Sequence, residues 1–415
     1  MNIVYIHTHD SGRYLEPYGH AVPTPNLMEL AKESTLFRHC YCAGPTCSPS
    51  RTALLTGTWP HVNGMKGLTH LGGFALNDYN MHLARYLRTQ GYETVLSGIQ
   101  HEAADSNDIG YSRILQDTWG TDMFIPDVSK TDINAARLAA KYLKSQQEKD
   151  SRFFLSVGFF STHREFPADN GDVPQEYVMP PSTIYDCQAN REDMAGYIRS
   201  AAIADRCIGI VLDAIKESKL DKNTIIIFTT DHGIAFPHMK CSLYDSGIGV
   251  ALMLKYPGNP MAGTATDVLT SHIDIFPTLC SLCGLKKPDW LQGLSLVGFL
   301  HGETDKVNEQ IFSEVTYHVS YEPMRCIRTD RYKLIRRYDH YSGVVPENID
   351  DGQSKRFLVD SGLMQRPVAR EMLFDLYLDP MERENLLEDS AYRKVYNDLS
   401  GRLSKWMADT HDVVM

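Results

Sequence analysis

Short apolar, β-branched runs separated by helical patterns constrain this 415-residue chain more than any other feature. The runs lie at residues 3–6, 94–96, 153–159, 224–230 and 250–254. Between them, residues 25–33, 80–90, 133–147 and 194–218 repeat their apolar positions at helical spacing. Strands that are apolar along their whole length need cover on both faces, and helical connections supply it. The expected fold class is therefore α/β, a large, mixed, mostly parallel sheet sandwiched by helices. In such sheets ligands collect at the carboxyl ends of the strands. His9-Asp10 and Asp231-His232 each follow a predicted strand directly, which puts both pairs on that rim.

Beyond about residue 305 the texture changes. Residues 310–317, 326–336 and 373–378 read as strands, and an amphipathic helix over roughly 391–408 closes the chain. We expect an α/β catalytic domain over 1–305 and a smaller α+β domain over 306–415, with an antiparallel sheet and that terminal helix. Residues 342–365 are polar and rich in turn formers, and read as a long loop near the mouth of the site.

The net charge of −11 argues against a nucleic-acid surface, which needs clustered Lys and Arg. An anionic substrate needs only a local positive pocket. No apolar run reaches the length of a membrane span, so no membrane partner is expected. Met1-Asn2 leads straight into a strand rather than a signal peptide, and the nine cysteines are odd in number and scattered. Both features point to a reduced, cytoplasmic location. Cys280-x-x-Cys283 lies in an apolar helical stretch with no second ligand pair, and reads as core.

The segment Cys47-Ser-Pro-Ser-Arg-Thr-Ala-Leu-Leu-Thr-Gly57 carries the chemistry. Ser48 and Pro49 suit a short non-helical entry, and Ser50 is expected to cap a helix begun by Arg51–Leu55. Cys47 then sits beside a helix N-terminus, where free N–H groups favour an anion, and Arg51 adds a fixed charge. This segment resembles the signature of type I sulfatases, members of the alkaline phosphatase superfamily. The resemblance implies a formylglycine nucleophile made from Cys47, one divalent metal ion, and a formylglycine-generating or sulfatase-maturing enzyme as partner.

Asp231-His232-Gly233 is similar to the metal motif of the same superfamily. His9-Asp10 stands where two aspartates are usual, so only Asp10 matches. The implied ligand set is His9, Asp10, Cys47, Asp231 and His232; its imidazoles favour Mn²⁺, and Ca²⁺ also suits the carboxylates.

By the same resemblance, His101 in Ser97-Gly-Ile-Gln-His101 helps deprotonate the formylglycine hydrate, although Ile99 replaces the usual lysine. His163 contacts the sulfate and protonates the leaving atom, a task suited to a pKa near neutrality. Lys240, ahead of Tyr244-Asp-Ser-Gly247, binds a substrate oxygen, and Arg51 supports the nucleophile. His20, His61 and His238 match no such position and read as structural or rim residues.

Further matching segments are Thr24-Pro-Asn-Leu27, Asn63-Gly-Met65, residues 228–237, Tyr321–Arg325, Phe374-Asp-Leu-Tyr-Leu-Asp-Pro380 and Thr410-His-Asp412. Together they extend the likeness over nearly the whole chain, toward heparan N-sulfatase (sulfamidase)-like members. The expected activity is hydrolysis of a sulfate ester or sulfamate on a small anionic ester substrate such as a sulfated sugar. One alternative is a phosphonate monoester or phosphodiester hydrolase, favoured by Ile99 and the imidazole ligands. A third reading, a non-catalytic anion-binding homologue, is motivated by His9 and Ile99.

Overall fold

The computed structural model describes residues 1–117, 127–147 and 149–414. All five apolar runs of the first 305 residues form strands, and all belong to one sheet. These are β1 (Asn2–Thr8), β3 (Glu93–Gly98), β5 (Phe153–Gly158), β6 (Thr224–Thr230) and β7 (Gly249–Lys255). The sheet also holds β2 (Thr35–Tyr41), β4 (Arg113–Asp117), β8 (Thr264–Thr266) and β9 (Thr270–Ser271), which the sequence pattern did not mark. Arg38 and His39 interrupt the apolar run of β2 at a register shift between Phe37 and Cys40. β4 lies at the sheet edge and is only partly buried, so its apolar signal is weak.

The strand order is β4-β3-β5-β1-β6-β7-β2-β8, with β9 paired to β2. β3, β5, β1 and β6 run parallel, whereas β7 is antiparallel to both neighbours, which makes the sheet mixed. Alternate residues of β1 feed two cores. Ile3 and Tyr5 pack with the helices Cys47–Thr56, Leu83–Thr89 and Ile275–Cys283. Val4 and Ile6 pack with Pro25–Lys32, Val128–Lys144 and Gln188–Glu217 on the other face. Each such side chain contributes about 1.5–3 kcal/mol on burial.

Several expected boundaries are corrected. The helix expected from residue 194 begins at Gln188, because buried Asn190 and Asp193 are polar and hide its first turns. The stretch 80–90 divides into a short turn at Tyr79–Met81 and a helix from Leu83, capped by His82. Cys280 is buried in its helix, and all nine cysteines are free.

The second sheet is an antiparallel meander of β10 (Ile311–Tyr317), β11 (Tyr321–Arg328), β12 (Tyr332–Arg337) and β13 (Glu371–Asp375). The single strand expected over 326–336 is thus two strands, and Thr329 N–H donates to Tyr332 C=O at the turn between them. The terminal helix Arg393–Asp409 lays Leu399, Leu403 and Trp406 against Phe312, Ile327, Leu334 and Leu373. Residues 342–365 are not a plain loop: they contain the helix Gln353–Asp360. Among the described residues no helix is long and apolar enough to cross a membrane.

Candidate active site

Four parallel strands deliver the chemistry to one rim. His9 and Asp10 follow β1, Asp231 and His232 follow β6, His101 follows β3, and His163 follows β5. The pairing Thr8↔Thr230 brings the first two pairs level. Asp10 takes a left-handed backbone with φ of 39°, and its N–H donates to Asp231 Oδ1 at 2.8 Å.

The two carboxylates and two imidazoles converge. His232 Nε2 is 3.3 Å from Asp10 Oδ1 and 3.6 Å from Asp231 Oδ2, while His9 Nδ1 is 3.3 Å from Asp231 Oδ2. Against the cost of burial, Lys240 and then His163 and His232 hold Asp10 well below the usual carboxylate range. His232 and Arg51 act likewise on buried Asp231. One ligand atom each from His9, Asp10, Cys47 and Asp231 lies within 4.8 Å of the others. Neither ring nitrogen of His9 makes a hydrogen bond although both are buried. A buried imidazole whose Nε2 has no hydrogen-bond partner and whose Nδ1 faces a carboxylate fits a divalent cation.

Cys47 is the first residue of its helix rather than its flank, and Thr46 occupies the N-cap without a side-chain bond. Pro49 is therefore inside the first turn, where its missing N–H costs no helical bond. Ser50 does not cap: its hydroxyl donates to the Asp231 carbonyl and ties the helix to the end of β6. Cys47 Sγ lies 3.4 Å from His232 Nε2 and 3.9 Å from Asp10 Oδ1. Burial pushes its thiol well up, against the pull of the Lys240 ammonium.

Arg51 is one turn further on and fully buried. Its Nη2 donates to Asp231 Oδ2 at 3.0 Å and to Thr8 C=O at 3.3 Å, and its Nη1 bonds His7 Nδ1. The guanidinium therefore braces the Asp231 carboxylate. His101, at φ 57°, offers a nitrogen within 4.8 Å of Cys47 and His9, and its Nε2 is 2.9 Å from His70 Nδ1. Burial, then the neighbouring His9 and His70, push its pKa well down. Ile99 packs with Phe160 and Val128 in a small apolar cluster and brings no charge.

Lys240 Nζ lies 2.9 Å from Asp10 Oδ2, 3.1 Å from Asp350 Oδ1 and 3.5 Å from His163 Nε2. Against the cost of burial, Asp10 and Asp350 keep this ammonium protonated. His163 is held down to about 4 by burial, although Asp10 pulls the other way. Its side chain is 22% exposed and that of Asp350 is 17% exposed, so both face the opening above a closed floor.

All the expected residues thus meet in one place. Sequence reasoning missed His7, His70, His318 and Asp350. His70 sits in a glycine-rich stretch, Asp350 in the segment read as loop, and His318, buried within the electrostatic reach of Lys240 and Asp350, in the turn between β10 and β11. None carries a local signal. His20 packs tilted against Tyr14 with ring centroids 4.3 Å apart and His61 bonds Glu314 at 2.9 Å, while His238 lines a separate cleft with Thr183, Tyr244 and Arg383.

The C-terminal model of N-sulphoglucosamine sulphohydrolase matches residues 234–348. Human N-sulphoglucosamine sulphohydrolase is 27% identical over 94% of this chain and 86% of its own length. Choline-sulfatase of Rhizobium meliloti is 24% identical over 100% of this chain and 88% of its own length. A solved 2-O GAG sulfatase superposes with a TM-score of 0.75 at 21% identity, covering 99% of this chain and 92% of the other. A sulfatase-family model matches residues 1–285, more than half of the 415, and the chain therefore belongs to the sulfatase family, the sulfuric ester hydrolases.

Proposed function

We propose that the protein is a metal-dependent sulfatase that hydrolyses a sulfate ester or sulfamate on a sugar, with formylglycine at position 47 as its nucleophile. The observation that carries this reading is the convergence of Cys47 with two carboxylates and two imidazoles, beneath Lys240 and His163. The sugar comes from the relatives. Human N-sulphoglucosamine sulphohydrolase is one, and a structural neighbour with a TM-score of 0.74 was solved with its substrate D-glucosamine-2-N,6-O-disulfate.

His9, Asp10, Asp231 and His232 would hold the cation, Mn²⁺ or Ca²⁺, with the residue-47 side chain beside it. When bound, such an ion supplies positive charge for the oxygens of the transferred group. Formylglycine, installed by a maturing enzyme, supplies as its hydrate one hydroxyl for attack and a second for release of sulfate. A bare thiol whose pKa is pushed up by burial stays protonated, and is a poor nucleophile.

The remaining residues bind, orient and move protons. Arg51 fixes the Asp231 carboxylate. Lys240 Nζ, 3.5 Å from His163 Nε2, can hold a sulfate oxygen. His163 Nε2 on that open side donates to the departing atom, and the negative charge of a bound sulfate raises its depressed proton affinity. His101, on the Cys47 side, accepts a proton. The phosphorus-ester and binding-only alternatives gain no support from the relatives named above, which are sulfatases.

The test begins with protein from its native host. The peptide containing Cys47 should have the formylglycine mass, and the protein should release sulfate from a sulfated glucosamine but no phosphonate from a matched ester. Cys47→Ala should abolish turnover and leave the thermal midpoint unchanged. Unmodified cysteine throughout, with turnover retained in Cys47→Ala, would overturn the reading.

A further inference from the structure

The Asp350 carboxylate is an odd neighbour for a sulfate pocket. Its Oδ1 lies 3.1 Å from the Lys240 ammonium, so it weakens for any anion the charge on which the site relies. It is also held in place. Buried Asn348, two residues earlier, accepts from the N–H groups of Val319 and Ser320 at 3.1 and 2.8 Å. The Asn348 amide donates in turn to Ser320 C=O and Glu322 Oε2 at 3.2 and 2.8 Å. On the other side Lys355 Nζ bonds Ile349 C=O at 2.7 Å. A fixed carboxylate set against a substrate anion must serve another part of the substrate.

Its position says which part. Single ligand atoms of Asp350, His163 and Asp10 lie within 4.8 Å of one another, and His163 is the proton donor to the departing atom in the proposed function. Asp350 thus stands where the leaving atom separates from sulfur. An ester oxygen there carries only lone pairs, which a carboxylate repels. A sulfamate nitrogen carries an N–H that the carboxylate accepts, and it gains positive character as it leaves.

We infer that Asp350 is a specificity-determining residue, which selects N-linked sulfate over O-linked sulfate by accepting a hydrogen bond from the departing nitrogen. This rests on the proposed hydrolysis and narrows its substrate to the sulfamate of an amine. In the reaction an S–O bond forms to the residue-47 nucleophile as the N–S bond breaks, and His163 gives its proton to nitrogen. Water supplies the oxygen that sulfate keeps and the protons that restore His163 and complete the ammonium. The products are R–NH₃⁺ and sulfate dianion, and no oxidant or further reactant is needed.

The matched probes are D-glucosamine N-sulfate and D-glucose 2-O-sulfate, which differ only by N–H against O at the same ring position. The native protein should hydrolyse the N-sulfate with at least ~10-fold higher kcat/KM. Asp350→Asn, which keeps the shape and loses the charge, should lower kcat/KM for the N-sulfate by ~10–100-fold, the scale of a charged hydrogen bond, and leave the 2-O-sulfate rate equal or higher. Asp350→Ser should give the same pattern if the amide itself disturbs the pocket.

An equal loss on both probes would mean that Asp350 only holds Lys240, and would overturn the inference. A native preference for the O-sulfate, or no release from the N-sulfate, would also overturn it. Cys47→Ala on the better probe separates the levels. Cys47-dependent turnover with a selectivity ratio unmoved by Asp350 sinks the specificity role alone, whereas Cys47-independent turnover sinks the hydrolase reading beneath it.

Discussion

His9 is the residue whose surroundings most demand a missing partner. Both of its ring nitrogens are buried without a hydrogen bond, and Nδ1 faces Asp231 Oδ2 at 3.3 Å. Leaving such groups unsatisfied costs about 1–3 kcal/mol each, which a coordinated cation would recover. Chelator treatment should therefore lower the thermal midpoint by several degrees, and Mn²⁺ should restore it, since an ion at ~100 times its Kd stabilises by about 2.7 kcal/mol. His9→Ala should lose most of that metal-dependent rise in a thermal scan. An equal rise in the variant would remove His9 from the ligand set. The pairs His9-Asp10 and Asp231-His232 were legible in the sequence because each lies just past an apolar run. Asp350 was not, since its partner Lys240 lies 110 positions away.

At the scale of the element, the helix Cys47–Thr56 decides where Cys47 and Arg51 point. It ends at Gly57, which takes φ 66° and whose N–H closes onto Ala53 C=O. A β-carbon there would lie 2.4 Å from Leu291 Cδ2, in addition to the left-handed strain. Gly57→Ala should cost about 1–3 kcal/mol in denaturant unfolding and reduce turnover by tilting the helix. A variant as stable and active as the parent would show that Leu291 yields freely. The capping role expected of Ser50 failed because the helix begins three residues earlier, at Cys47, which leaves the Ser50 hydroxyl to meet the Asp231 carbonyl across the rim. Apolar strands declared themselves in the sequence; β2 and β4 did not, because the polar pair Arg38-His39 interrupts one and the other is a half-exposed edge.

Over the whole molecule, buried ionisable groups set how stability answers pH. His163 is held down to about 4, and His272 and His318 to about 3, all chiefly by burial, while buried His7 and His101 are also pushed well down. Each stays neutral when folded but protonates near 6.5 when unfolded, so its contribution is complete above 6.5 and is lost as pH falls toward the folded value. Asp132 and Asp274, raised by burial to about 6, and Glu382, raised to about 7, act in the opposite sense. The histidines outnumber them, and between pH 6.5 and 4 stability should fall by on the order of 3 kcal/mol per unit. Thermal midpoints at pH 7 and pH 5 test this; a midpoint equal or higher at pH 5 contradicts it. Two kinds of information meet in this molecule. The sequence alone determined the strands of the parallel rim, the order of the reactive residues along them and the chemistry those residue types permit, because periodicity and motif spacing are local properties. Only the tertiary structure decided that β7 runs backward, that Arg51 is spent on Asp231, and that Asp350 stands beside Lys240 and His163. Those outcomes depend on which distant surfaces pack together, and no local pattern encodes that.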